Sequence, residues 1–220
     1  LSIMKLLLKH GADVNVRGDD GDTALHKLCR TGQLDSVRIQ LKYGADHDIH
    51  EAGDGSTALN SISRKTGVEV IRLLLQRGAS VNSFDDEGVT PLLKSIRLEK
   101  VSLAQLLIRS GADINSRCGQ DGLIIHTACY ESSVDMVHML IEQGASTRHL
   151  SDGSLGTVFQ AACQRTDSMK SDVLAYLLES DLVDVAAESD RWGSNLNAAC
   201  LMADKDTIRT LIERGAKTNV

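Results

Sequence analysis

The chain has 220 residues and a formal net charge of −6 from 24 basic and 30 acidic side chains, a balance that argues against a general nucleic-acid-binding role. It is 42% hydrophobic but only 3% aromatic, which suits thin layers of Leu, Ile, Val and Ala better than one large core. It contains neither an apolar run of about 18 residues, as a membrane-spanning helix needs, nor an Asn-x-Ser/Thr acceptor.

Residues 1–18 form half a unit, in which Ile3, Leu6, Leu7 and Leu8 make the apolar face of a helix closed by Gly11-Ala12-Asp13-Val14-Asn15. The closing Gly returns at Gly44, Gly78, Gly111, Gly144 and Gly215. A step of about 33 residues is the mark of stacked repeats. Full units are expected at about 19–52, 53–84, 85–118, 119–151, 152–188 and 189–220, together one domain over 1–220. Each opens a short first helix, at Thr23-Ala24-Leu25-His26, Thr57-Ala58-Leu59-Asn60, Thr90-Pro91-Leu92-Leu93, Leu123-Ile124-Ile125-His126, Thr157-Val158-Phe159-Gln160 and Asn195-Leu196-Asn197. Threonine caps free backbone N–H groups, and Pro91 falls at the first helical position, where a missing N–H costs nothing. A second, leucine-rich helix follows, with an acid near its start at Asp35, Glu69, Asp135, Asp172 and Asp206, as the helix dipole favours. Gln40 stands where other units carry Leu74, Leu107, Leu140, Leu177 and Leu211, so that helix is expected to rotate and let Ile39 take its place. About three residues are inserted between Thr166 and Ser171.

The Thr-Pro-Leu-His-like openings and the Gly-Ala-Asp-Val-Asn closings resemble the ankyrin repeat over nearly all of the chain. The resemblance implies an all-α solenoid of helix-turn-helix units with hairpin loops. It implies a protein–protein interaction module or scaffold that holds a partner in a concave groove, not an enzyme. No unit folds alone; stacking makes the core continuous. Residues Gly156 to Cys163 and Trp192 to Cys200 look like a form common in filamentous-fungal ankyrin arrays, which gives the alternative of a ligand-recognition arm of a larger immune-receptor-like NTPase. Apolar layers at both ends are expected to continue into a longer chain. A reducing, intracellular setting is expected, in the cytoplasm.

In this fold the motif histidine ties neighbouring turns together, a structural role carried over to His26 and His126. Asn60, Leu93, Gln160 and Asn197 depart from it, so those turns are expected to be less firmly tied. Positions four and five after the His-type residue should face the groove: Arg30 and Thr31, Arg64 and Lys65, Arg97 and Leu98, Tyr130 and Glu131, Gln164 and Arg165, Leu201 and Met202. Lys27, Ser61 and Lys94 follow one residue after it, and Trp192 sits at a hairpin tip. The partner-binding set is therefore Lys27, Arg30, Arg64, Lys65, Lys94, Arg97, Tyr130, Trp192, Leu201 and Met202. A basic stripe followed by apolar groups would suit an acidic, extended peptide with an apolar end, unless the acids at Asp19, Asp20, Asp54, Asp86 and Glu87 neutralise it.

Other chemistries are weaker. Cys29, Cys129, Cys163 and Cys200 share one register, which reads as a buried column of small apolar groups. Layers about 10 Å apart are too distant for disulfides. Cys118, in a loop, should be the most reactive thiol. His47, Asp48, His50 and Glu51 share a loop without making a closed metal site. Gly153 to Thr157 precedes a helix but lacks the lysine of a phosphate loop, and Asp19 to Asp22 lacks the spaced ligands of a calcium loop. No cofactor and no catalytic set is expected.

Overall fold

The computed structural model describes residues 2–117, 122–148, 154–180 and 182–218. It divides into two compact units, Leu1–Asp113 and Ile114–Val220.

The first unit contains α1 (Ser2–Lys9), α2 (Ala24–Thr31), α3 (Leu34–Lys42), α4 (Val68–Gln76), α5 (Pro91–Arg97) and α6 (Val101–Arg109). α2 packs on α3 and α5 on α6, while α3, α4 and α6 pack in succession. The second unit contains α7 (Ile124–Glu131), α8 (Val134–Glu142), α9 (Val158–Cys163), α10 (Lys170–Glu179), a two-stranded antiparallel ribbon of β1 (Glu188–Ser189) and β2 (Gly193–Ser194), then α11 (Asn195–Met202) and α12 (Lys205–Glu213). There the first helices α7, α9 and α11 form one layer and the second helices α8, α10 and α12 another. These are the paired, stacked helices that the repeat pattern predicts.

The recurring residues do recurring work. Leu74, Leu107, Leu140, Leu177 and Leu211 are all fully buried. After α3, α4, α6, α8 and α12 the closing Gly sits in the left-handed region, with φ 92° at Gly78 and 93° at Gly111, where a Cβ would be strained. The alanine that follows is buried and donates back to the carbonyl five residues earlier, as Ala79 does to Leu74 at 3.1 Å and Ala112 to Leu107 at 3.0 Å. Pro91 is the first residue of α5, and the Thr90 hydroxyl accepts from the Leu93 N–H at 3.3 Å. Acids occupy the first turns of α3, α4, α8, α10 and α12.

Three local expectations fail. Residues 57–66 form turns rather than a first helix, although Ala58 and Leu59 are fully buried where that helix would place them. Hydroxyls compete for the backbone here. Ser61 Oγ donates to the Thr57 carbonyl at 3.2 Å, Ser63 Oγ accepts from the Lys65 N–H at 3.0 Å, and Thr66 Oγ1 accepts from the Ser63 N–H at 2.9 Å. Next, Ile39 does not displace Gln40 from the core: both are buried. The Gln40 Nε2 donates to the Met4 sulfur at 3.4 Å, while its Oε1 has no hydrogen-bond partner. Lastly, the cysteine column is incomplete. Cys29, Cys129 and Cys163 are buried, and exclusion from water pushes each thiol up to about 12. Cys200 is exposed. Cys118 lies outside the described residues.

Candidate functional site

In the first unit, the basic side chains named from sequence divide into two kinds. Lys27 pairs with Asp20 at 2.8 Å. Arg30 reaches Asp22 at 2.9 Å and Glu51 at 2.6 Å, and both acids are buried. Lys94 reaches Asp85 at 3.0 Å and Asp54 at 3.7 Å and donates to Ser56 Oγ at 3.0 Å. Arg64, Lys65 and Arg97 are exposed, and neither Arg64 nor Lys65 has an ion pair among the described residues. The stripe is therefore partly neutralised from within, by Asp20 and Asp54 of the acids singled out in sequence and by Asp22 and Asp85, which were not. Ser61 is buried, so its side chain does not face a groove. Beside Lys94 and Arg97 lies a surface cavity of about 330 Å³ with Ile62, Val89 and Leu98 among its apolar walls and Asp54, Asp85 and Glu87 among its polar ones.

Arg30 anchors a cluster with unusual protonation. Burial, then hydrogen bonds with Asp22 and Asp54, push the Glu51 carboxyl up to about 8 against the pull of Arg30. Burial works against the charge on Asp54 too. There the hydrogen bonds from Glu51 and Ser56 outweigh it and hold Asp54 down at about 2. A protonated Glu51 has one O–H to donate to an ionised neighbour.

In the second unit Tyr130 and Leu201 are exposed, Leu201 to 72%, and Met202 is half-buried. Trp192 lies in the turn between β1 and β2, half-buried, its Nε1 donating to the Ser154 carbonyl at 2.9 Å. Arg165 does not face a groove. It is 3% exposed; its guanidinium donates to the Ser132 carbonyl at 2.6 Å and the Cys129 carbonyl at 3.2 Å, and grips Asp167 at 2.6 and 2.9 Å. The carbonyls past the last turn of α7 have no intrahelical donor, and Arg165 supplies one. Similar contacts close the first-helix positions of other repeats: Thr66 Oγ1 to Cys29 O at 3.0 Å, Ser63 Oγ to Arg30 O at 2.6 Å, Lys100 Nζ to Arg64 O at 3.0 Å, and Lys170 Nζ to Met202 O. No spacing rule pointed to these donors, because their chemistry differs at every step.

His26 is fully buried. Its Nδ1 accepts from the Thr23 N–H at 3.2 Å and its Nε2 donates to the Ile49 carbonyl of the next turn at 2.9 Å. The ring is the neutral Nε2–H tautomer, and burial lowers its pKa. His126 is also fully buried. The turns at Asn60 and Gln160 are not loosened by losing the histidine. Asn60 Nδ2 donates to the Val89 carbonyl at 2.8 Å, and Gln160 Nε2 to the Gly193 carbonyl at 2.8 Å while its Oε1 accepts from the Thr157 N–H at 3.0 Å. A primary amide carries the same donor–acceptor pair as neutral imidazole. A second ladder joins the closing turns: Asn15 Oδ1 accepts from the Asp46 N–H at 2.8 Å, Asn82 Oδ1 from Asp113 at 2.9 Å, and Asn115 Oδ1 from Ser146 at 2.9 Å. In the loop at 47–51, His50 Nδ1 bonds the Gly55 carbonyl at 2.7 Å and Glu51 is held by Arg30, so those two turn away from His47 and Asp48.

Comparison with known families agrees with this architecture. Models of ankyrin repeats match residues 33–118, and also 1–41 and 97–141, so that together they span 1–141 without a gap. The chain belongs to the ankyrin repeat family. Among characterised proteins it is similar to protein phosphatase 1 regulatory subunit 27 of Mus musculus and of Homo sapiens, 44% identical over 48 residues in both cases. That stretch is 22% of this chain and 31% of each relative, so under a third of their length is matched. No described helix is long and apolar enough to cross a membrane.

Proposed function

We propose that this array is a protein-interaction scaffold, without catalytic activity of its own, that binds an acidic, extended segment of a partner protein through the first unit. The observation that carries this reading is the Arg64–Lys65 pair, exposed at the end of a first-helix position, with no carboxylate partner among the described residues, on the same unit as the cavity lined by Lys94 and Arg97. Cations already held by buried acids are poor partners for a ligand, since binding would have to break existing pairs. Arg30 and Lys94 therefore shape the face, and Arg64 and Lys65 are the groups that meet the ligand. On the second unit Tyr130, Leu201, Met202 and Trp192 offer apolar contacts, and aromatic side chains commonly dominate interface energetics. Buried reduced thiols at Cys29, Cys129 and Cys163 go with an intracellular setting.

The similarity to a phosphatase regulatory subunit favours one kind of partner, the catalytic subunit of a protein phosphatase, which the array would bind without itself carrying out hydrolysis. Capture of protein phosphatase 1 catalytic subunit by the full chain, and by Arg64→Glu/Lys65→Glu, tests both levels. Retention by the parent chain and at least a tenfold loss in the double variant are expected, with unchanged circular dichroism. No retention refutes the phosphatase partner. Equal retention by both proteins refutes the basic pair as the contact.

A further inference from the structure

The turn that closes the second repeat differs from the others in its donors. Where other turns read Asp13-Val14-Asn15 or Ser80-Val81-Asn82, this one reads Asp46-His47-Asp48. One ligand atom from each of the three side chains lies within 4.8 Å of the other two. The backbone holds the loop in place: the Asp46 N–H donates to Asn15 Oδ1 at 2.8 Å, and the Asp48 N–H donates to Asp46 Oδ1 at 2.9 Å.

His47 decides what the cluster can hold. Its Nε2 lies 2.9 Å from the Arg77 carbonyl, which only accepts, so Nε2 carries a proton. In the neutral ring Nδ1 is then a lone pair. That atom is shut off from solvent and makes no hydrogen bond, yet it stands 3.0 Å from Asp48 Oδ1. Two lone pairs at that separation repel unless something positive lies between them. A protonated ring would make these two atoms an ion pair, but without an aligned hydrogen bond between them. A metal ion needs no such alignment. Placed at about 2.1 Å from both donors, it sits to one side of that line and subtends about 90°. The other ring nitrogen is meanwhile fixed by a backbone carbonyl, the arrangement that orients histidine ligands in metal sites.

We propose that Asp46, His47 and Asp48 bind one first-row divalent cation of the zinc type. One imidazole nitrogen and two carboxylates are a borderline donor set that suits such an ion better than magnesium or calcium. Three protein donors leave coordination positions for water, so the site is open and of modest affinity. Bound metal joins the second-repeat turn, through the imidazole, to the Arg77 carbonyl at the end of α4. Metal that binds only the folded form raises its stability by mass action.

The test uses the full chain, freed of metal with a chelator and titrated with zinc chloride by calorimetry, with cobalt chloride absorption to report the donor atoms. One zinc per chain is expected, with a cobalt spectrum free of thiolate charge-transfer bands. His47→Gln keeps an N–H for the Arg77 carbonyl and removes the Nδ1 lone pair; it should weaken zinc binding about tenfold or more, as should Asp48→Asn. His50→Gln should bind like the parent. No saturable binding, a thiolate band, full affinity in His47→Gln, or an equal loss in His50→Gln overturns the proposal.

Discussion

Replacing Arg165 by Met should destabilise the second unit by about 3 kcal/mol. The side chain is almost wholly buried, and it supplies the donors for the Cys129 and Ser132 carbonyls beyond the last turn of α7. Hydrogen bonds to a charged donor are worth about 1.5–3 kcal/mol each, and the orphaned carbonyls keep their desolvation cost. Against that loss, methionine fills much of the volume and removes the cost of burying a guanidinium, which returns part of the gross 3–6 kcal/mol. Asp167 contributes little to the balance, because it is half-exposed and regains water when its partner goes. The measurement is urea unfolding of the full chain followed by circular dichroism and tryptophan fluorescence, Trp192 being the single reporter and lying in the second unit. Arg165→Lys should recover part of the loss, since one ammonium reaches one carbonyl where the guanidinium spans two. Arg209→Met serves as the control: its pair with Asp206 is exposed on both sides, so a change within about 0.5 kcal/mol is expected. A loss below about 1 kcal/mol at Arg165, or a loss at Arg209 of equal size, would refute the reasoning.

Two further changes probe the first unit. Asn60→Leu removes the donor for the Val89 carbonyl inside a fully buried site and should cost about 1–3 kcal/mol in urea unfolding; a neutral result would mean that the histidine-type position need not be polar. Glu51, raised to about 8 from an ordinary 4.5, keeps its proton in the fold where the unfolded chain has released it. Its favourable contribution is therefore complete below pH 4.5 and is lost as pH rises through 8. After allowance for solvent screening the first unit should lose roughly 1–2 kcal/mol between pH 5 and pH 8. Glu51→Gln should flatten that slope, and an unchanged slope in this variant would place the titration elsewhere.

The glycine period and the buried leucine register were legible because backbone geometry enforces both. A left-handed residue closes the turn after α3, α4, α6, α8 and α12, and one face of each helix must be apolar, whatever surrounds it. The missing helix at 57–66 was not legible, because Ala58 and Leu59 carry the same burial pattern in a turn as in a helix. What decides between them is the competition of Ser61, Ser63 and Thr66 for backbone partners, which hydrophobic periodicity does not register.

The candidate site was readable only as a set of addresses. Counting from the histidine-type position located Arg30, Arg64 and Arg97 in equivalent places, and equivalence suggested one stripe of similar charges. Their environments make them different groups. Arg30 lies between two buried acids that enter from its own hairpin and the next, and Arg165 reaches inward because α7 ends in carbonyls with no other donor. Arg64 follows a segment whose hydroxyls have taken the backbone bonds, and its guanidinium stays in solvent with Lys65 beside it. This changes which substitution tests binding. Arg30→Glu would set a third acid against Asp22 and Glu51 and unbalance the fold before any partner arrived, whereas reversing Arg64 and Lys65 breaks no ion pair among the described residues. A loss of capture there is a loss at the contact, which is why the partner reading rests on that pair rather than on the whole stripe.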